Sequence, residues 1–148
     1  MKKTEILPFF VYGTLLPGQP NDFYWKSDVL RTEPAVYLGA NMFAFPHFPM
    51  ITETGDQSKQ IKGELIWVDE SRYIDVLQQI DFLEGFDPSA KEKSIYQRLK
   101  RDVVFEQGKK EEAWIYIGSA DFVSGLPQIS SGDWVDYLHN KTDPHLSS

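Results

Sequence analysis

The chain has 148 residues, a formal net charge of −7, ten Phe, seven Tyr, four Trp and no cysteine. That length suits a single domain over 1–148 with a sizeable buried core, and the aromatic content favours strands over a bare helical bundle. The acidic balance argues against a nucleic-acid binder, and the missing cysteine removes disulfides, thiol catalysis and Cys-based metal sites. No apolar run approaches the ~20 residues of a membrane span, so a cytoplasmic protein with no membrane partner is expected.

In chain order, Met1 to Tyr12 has the basic start and apolar run of a short signal peptide. Pro8 interrupts it and no small-residue cleavage site follows, so Ile6 to Tyr12 reads better as a first strand covered on both faces. Gly13 to Pro20 is a loop punctuated by Gly13, Pro17, Gly18 and Pro20, after which Asn21 can cap a short helical turn through Lys26. Ala35 to Phe45 reads as a strand broken at Pro46 and Pro49, Thr52 to Lys59 as a polar turn, and Gln60 to Val68 as a second strong strand. Asp69 or Ser71 then caps an amphipathic helix from about Arg72. Phe86 to Ser94 is a polar loop, and Ile95 to Phe105 with Glu112 to Gly118 forms a hairpin across Gln107-Gly108-Lys109-Lys110. The basic run from Lys91 to Arg101, interrupted by Glu92, reads as a solvated hairpin edge. Beyond Gly118 the chain turns irregular, with a short terminal helix at Trp134 to His139. Mostly strands with one principal helix imply an α+β domain with a curved or barrel-like sheet, its core at about 6–118 and a C-terminal extension at 119–148.

Within that helix one position stands out. Ile80, Leu77 and Tyr73 lie four, seven and eleven residues before Glu84, the spacings of one helical face. A carboxylate thus occupies a place in an apolar stripe where Leu would be expected. Burial without a partner favours its neutral form and makes it a candidate for proton transfer near neutral pH. The alternative is a helix frayed by Gly85, with Glu84 turned to solvent. Asp81 could pair with Glu84, although its offset from the stripe favours a structural or helix-end role.

Phe10-Val11-Tyr12-Gly13-Thr14-Leu15 places Gly directly after a buried strand, where successive backbone N–H groups can meet a carboxylate or developing oxyanion. An ordinary turn is the simpler reading of that loop alone. His47, His139 and His145 are too scattered for a local metal site, and no His lies near Thr14 or the serines to activate a nucleophile.

Taken in order, Tyr12-Gly13-Thr14-Leu15 with Gly18 and Asn21, Phe45-Pro46, Phe48-Pro49-Met50, Ile61-Lys62-Gly63-Glu64-Leu65, Leu83-Glu84-Gly85, Tyr96-Gln97-Arg98 and Ser131-Gly132-Asp133-Trp134 resemble the gamma-glutamylcyclotransferase-like family, nearest to its gamma-glutamylamine cyclotransferase branch. The likeness runs from about Phe9 to Trp134. It implies a small mixed β-barrel with flanking helices and no cofactor or metal. It also implies a catalytic Glu at Glu84 and a substrate loop at Tyr12, Gly13, Thr14 and Leu15. Tyr116 is a weaker candidate for substrate contact, packing being the first role expected of an aromatic on a strand. The implied reaction is intramolecular aminolysis of a γ-glutamyl amide, giving 5-oxoproline and a free amine. Two other readings stand beside it. One is a non-catalytic module of the same fold that binds a small amino-acid-like ligand, and the other is an interaction domain with an aromatic patch. Leu16, Pro17, Phe43, His47 and Phe48 are candidates for the leaving-group side. The leaving amine and the oligomeric state are left open.

Overall fold

Side-chain alternation along the first strand divides the interior in two. In a computed structural model, residues 6–19, 21, 25–87, 89–90, 92 and 94–142 are described, with the backbone alone at 26, 141 and 142. Phe9 and Val11 of strand β1 (Phe9–Val11) join one buried cluster, while Phe10 and the following Tyr12 join another. This is the period of two expected of a strand buried on both faces. The same split runs along β5 (Gln60–Val68), with Ile66 and Val68 in the first cluster and Ile61 and Leu65 in the second.

Pairing closes the sheet. β1 runs antiparallel to β5 with Phe10 opposite Leu65, and β5 is antiparallel to β2 (Val29–Leu38). β2 meets β6 (Gln97–Phe105), β6 pairs with β7 (Lys109–Ile117), and β7 returns to β1 in parallel at Trp114 and Phe9. The result is a five-stranded barrel in the order β1-β5-β2-β6-β7. A smaller sheet of β3 (Ala40–Ala44), β4 (Pro49–Glu53) and β8 (Gln128–Ile129) has the order β4-β3-β8. Helix α1 (Tyr73–Leu83) packs Tyr73, Val76, Leu77 and Ile80 into the Phe9 cluster. Two short helices follow, α2 (Ala120–Val123) and α3 (Trp134–Thr142).

Gly63 shows why β1 can lie so close to β5. A Cβ there would stand 2.1 Å from the Val11 carbonyl oxygen and 2.9 Å from the Phe10 ring. Only a residue without a side chain permits that approach.

Several elements differ from the sequence reading. The first strand is three residues, not seven. The long strand from Ala35 is two strands hinged at Gly39, whose φ of +97° suits glycine, and β2 begins earlier, at Val29. Pro34 sits inside it, before the pairing with β6 starts at Ala35, which is where a strand tolerates proline. β4 is hidden in the sequence because Pro49 reads as a breaker, whereas proline is also accepted as a strand's first residue. β7 starts at Lys109, because Glu106, Gln107 and Gly108 all take positive φ and complete the hairpin turn first. α2 and β8 occupy the stretch that reads as irregular. The turn expected through Lys26 falls partly on residues 22–24, outside the described residues, and a 3-10 turn spans Lys26–Asp28. No helix of the described residues is long and apolar enough to cross a membrane.

Candidate functional site

The end of α1 aims Glu84. Upstream, the Asp69 carboxylate accepts from the Ser71 N–H at 3.0 Å and caps the 3-10 turn that leads into the helix. Downstream, Gly85 turns left-handed with φ of +70°. The Phe86 N–H then reaches the Asp81 carbonyl at 2.9 Å and the Gly85 N–H reaches that of Phe82 at 3.1 Å. This is a Schellman closure of the helix. Glu84 is the last residue before it and keeps helical dihedrals (φ −82°, ψ −1°), so the stripe of Tyr73, Leu77 and Ile80 extends to its side chain without fraying.

Glu84 opens onto a cavity of about 690 Å³ bounded by the end of β1 and its loop (Phe10 to Leu15), the Pro46–Pro49 connection, Tyr96, Tyr116 and Trp134. Glu84 is half-buried as a residue and lines this cavity. Its carboxyl has no hydrogen-bond partner among the described residues. Burial alone pushes its pKa from 4.5 up to about 7. An acid with no stabilising partner and little water pays for ionising, which is the cause of that rise. The described lining residues include no Lys or Arg.

The loop is built by close approach. A Cβ on Gly13 would lie 2.6 Å from Pro49 Cγ, so glycine lets the loop and the start of β4 meet. The Leu16 N–H turns back to the Gly13 carbonyl at 3.0 Å, the Asn21 N–H reaches the Thr14 carbonyl at 2.8 Å, and Asn21 Nδ2 donates to Thr14 Oγ1 at 2.9 Å. The N–H groups of Gly13, Thr14 and Leu15 have no partner among the described residues. Such unpaired donors beside a cavity suit an anionic oxygen.

Two tyrosines tie the wall together. Tyr12 donates its hydroxyl to the Tyr116 carbonyl at 2.6 Å and Tyr96 donates to the Pro49 carbonyl at 2.8 Å. Burial raises both hydroxyls well above their ordinary value, with the Glu84 charge adding to the rise, so both stay protonated donors.

The structure therefore gathers Tyr12, Gly13, Thr14, Leu15, Glu84 and Tyr116 around one cavity. Tyr116 is packed, as a strand aromatic should be, and lines the cavity as well. Of the leaving-group candidates, His47 and Phe48 line it. Leu16 is core, Phe43 packs against the core and Pro17 is exposed. Asp81 is turned away from any pairing with Glu84 and takes Arg98 instead, with Nε to Oδ1 at 2.8 Å. Arg98 is thereby removed from the solvated edge on which its place in the basic run puts it. The cavity role of Trp134 and Leu138 carries no local signal, since only the return of α3 brings them there.

Comparison with known proteins agrees with this architecture. A candidate gamma-glutamylcyclotransferase of Methanocaldococcus jannaschii is 29% identical over 133 residues, covering 86% of this chain and 95% of that protein. A second candidate, from Drosophila melanogaster, is 25% identical over 115 residues, covering 73% and 67% respectively. Among solved structures, an AIG2-like protein from Mus musculus superposes with a TM-score of 0.59 at 24% identity, over 96% of this chain and 93% of that one. YkqA from Bacillus subtilis gives 0.66 at 23% identity, over 93% of this chain and 44% of the other. The model of the gamma-glutamyl cyclotransferase, AIG2-like family matches residues 9–136, from β1 through Glu84 to α3, and the chain belongs to that family.

Proposed function

We propose that this protein is a γ-glutamyl cyclotransferase that converts a γ-glutamyl amide into 5-oxoproline and a free amine. The observation that carries the reading is the desolvated Glu84 carboxyl facing the same cavity as the Tyr12–Leu15 loop. Nucleophile and electrophile belong to one substrate molecule, so the site mainly has to fold it into a near-attack geometry. Glu84 takes a proton from the substrate's α-ammonium group. The freed amine nitrogen bonds to the γ-carbonyl carbon, and the carbonyl electrons move onto oxygen. N–H groups of the Gly13–Leu15 loop receive the α-carboxylate or that oxyanion. Collapse breaks the bond to the leaving nitrogen, which Glu84 protonates. The remaining extra proton on the ring nitrogen passes through the freed Glu84 carboxylate to the departing amine, which leaves as an ammonium ion beside neutral-ring 5-oxoproline. A carboxyl with pKa about 7 is suited to both transfers near neutral pH.

The test is 5-oxoproline release from a panel of γ-glutamyl amines and γ-glutamyl amino acids, with Glu84→Gln alongside. Wild type is expected to release it and the folded variant is not. Saturable binding without release by the wild type would replace this reading with a non-catalytic binding module. The open cavity at Glu84 counts against a purely structural interaction domain.

A further inference from the structure

Arg98 and Asp81 have no part in the reaction as written, yet they are joined to its site. Only 13% of the Arg98 side chain is accessible, and its guanidinium lies 4.3 Å from the Trp114 ring centroid and 5.4 Å from that of Phe86. Asp81 is 7% exposed. Its Oδ1 receives two donors, Arg98 Nε at 2.8 Å and the Tyr116 hydroxyl at 2.5 Å. Its backbone carbonyl also accepts the Phe86 N–H that closes the helix behind Glu84. One residue thus holds both the turn that aims Glu84 and the hydroxyl of Tyr116.

The polarity of that hydroxyl follows. A carboxylate paired with a guanidinium can only accept, so Tyr116 must direct its one proton to Asp81. Its oxygen keeps lone pairs and has no proton left for the cavity that Tyr116 lines. Tyr116 and Glu84 line the same cavity, and the hydroxyl is raised well above its ordinary pKa by burial first, then by Asp81, with Glu84 also contributing. Without Asp81, the Tyr116 proton could turn to the Glu84 carboxylate and compete there with a ligand's ammonium group.

We propose that Asp81 and Arg98 are positioning residues that fix the Tyr116 hydroxyl as a hydrogen-bond acceptor for the α-ammonium group of the ligand, beside Glu84. The inference rests on the γ-glutamyl reading above. The ammonium then has two acceptors from the protein, the Glu84 carboxylate that takes its proton and the Tyr116 oxygen that holds it in place.

The test uses two ligands that cannot cyclise, because a sulfone replaces the γ-amide. They are S-butyl-homocysteine sulfone and its des-amino counterpart, 4-(butylsulfonyl)butanoic acid, and calorimetry gives the affinity ratio. Wild type is expected to prefer the amino ligand. Tyr116→Phe, and Asp81→Leu combined with Arg98→Met, should each cut that preference about tenfold, the low end for a hydrogen bond to a charged group. Affinity for the des-amino ligand should stay unchanged. Replacing both ions together leaves no orphaned buried charge. Should that double variant not fold, Asp81→Ala, which removes the acceptor of the Tyr116 proton and leaves room for water beside Arg98, should lower the preference in the same direction. A preference that survives in any of these variants overturns the inference, as does an equal loss for both ligands, which marks a merely structural role. A wild type that releases 5-oxoproline but shows no preference overturns this inference alone. One that binds neither sulfone and releases nothing overturns the γ-glutamyl reading with it.

Discussion

Glu84→Gln should make the protein more stable above neutral pH and no more stable in acid. The carboxyl has a pKa of about 7 in the fold against an ordinary 4.5, raised by burial. The fold therefore favours the protonated form, and the sign follows from that. Below pH 4.5 the group is protonated in both the folded and unfolded chains and contributes no difference. As pH rises from 4.5 to about 7 the unfolded chain ionises freely and the folded one does not, so stability is lost across that window. At about 1.4 kcal/mol per pH unit, the ionised carboxylate costs the folded state on the order of 3 kcal/mol above pH 7. Glutamine matches the protonated acid in size and never ionises, so it removes this cost. For a chain of this length, about 2–4 °C of Tm per kcal/mol gives a gain on the order of 6–12 °C at pH ~8.5. Thermal unfolding of both proteins from about pH 4 to 8.5 makes the comparison. An equal shift at both ends of the range, or a variant destabilised at the alkaline end, would refute the argument that Glu84 is desolvated and unpaired. The experiment needs no substrate, so its answer is independent of the proposed reaction.

Three further outcomes are expected. The acid limb of kcat/KM for 5-oxoproline release should titrate near pH 7, where Glu84 loses its proton and can act as base; a limb near 4.5 would mean a solvated carboxyl. Gly63→Ala should cost on the order of 3 kcal/mol in urea unfolding, because its Cβ meets the Val11 carbonyl oxygen, a backbone atom that cannot step aside without parting β1 from β5. A loss within experimental error would contradict that close approach. Gly85→Ala should cost less, about 1–2 kcal/mol for the left-handed conformation, since its Cβ meets Ile95 at an ordinary 3.4 Å. A neutral result would show that the turn behind Glu84 is not left-handed.

Local periodicity makes parts of this molecule legible in the order of its residues. The α1 stripe that ends in Glu84 is readable because helical neighbours lie three and four residues apart along the chain, and Asp69 and Gly85 mark its two ends. β5 and the β6–β7 hairpin are readable for the same local reason. Proline misleads: Pro49 looks like a breaker in sequence, and only its pairing with Ala44 reveals it as the first residue of a strand, where a missing N–H is tolerated. The basic run misleads in another way. Its charges read as one solvated edge, whereas the fold turns Arg98 inward to Asp81 and leaves Arg101 at the surface with Glu53. Whether Glu84 faces solvent or a cavity is equally undecided by spacing, since a stripe marks which face of a helix is apolar and not what lies opposite it. That is settled by β1, the Pro46–Pro49 connection, Tyr96, Tyr116 and Trp134, which arrive from distant parts of the chain. Residue spacing is enough to place the carboxylate on its helix. Its chemistry waits on the closure of the barrel, because desolvation depends on every group that excludes water from a site, and those groups are not neighbours in sequence.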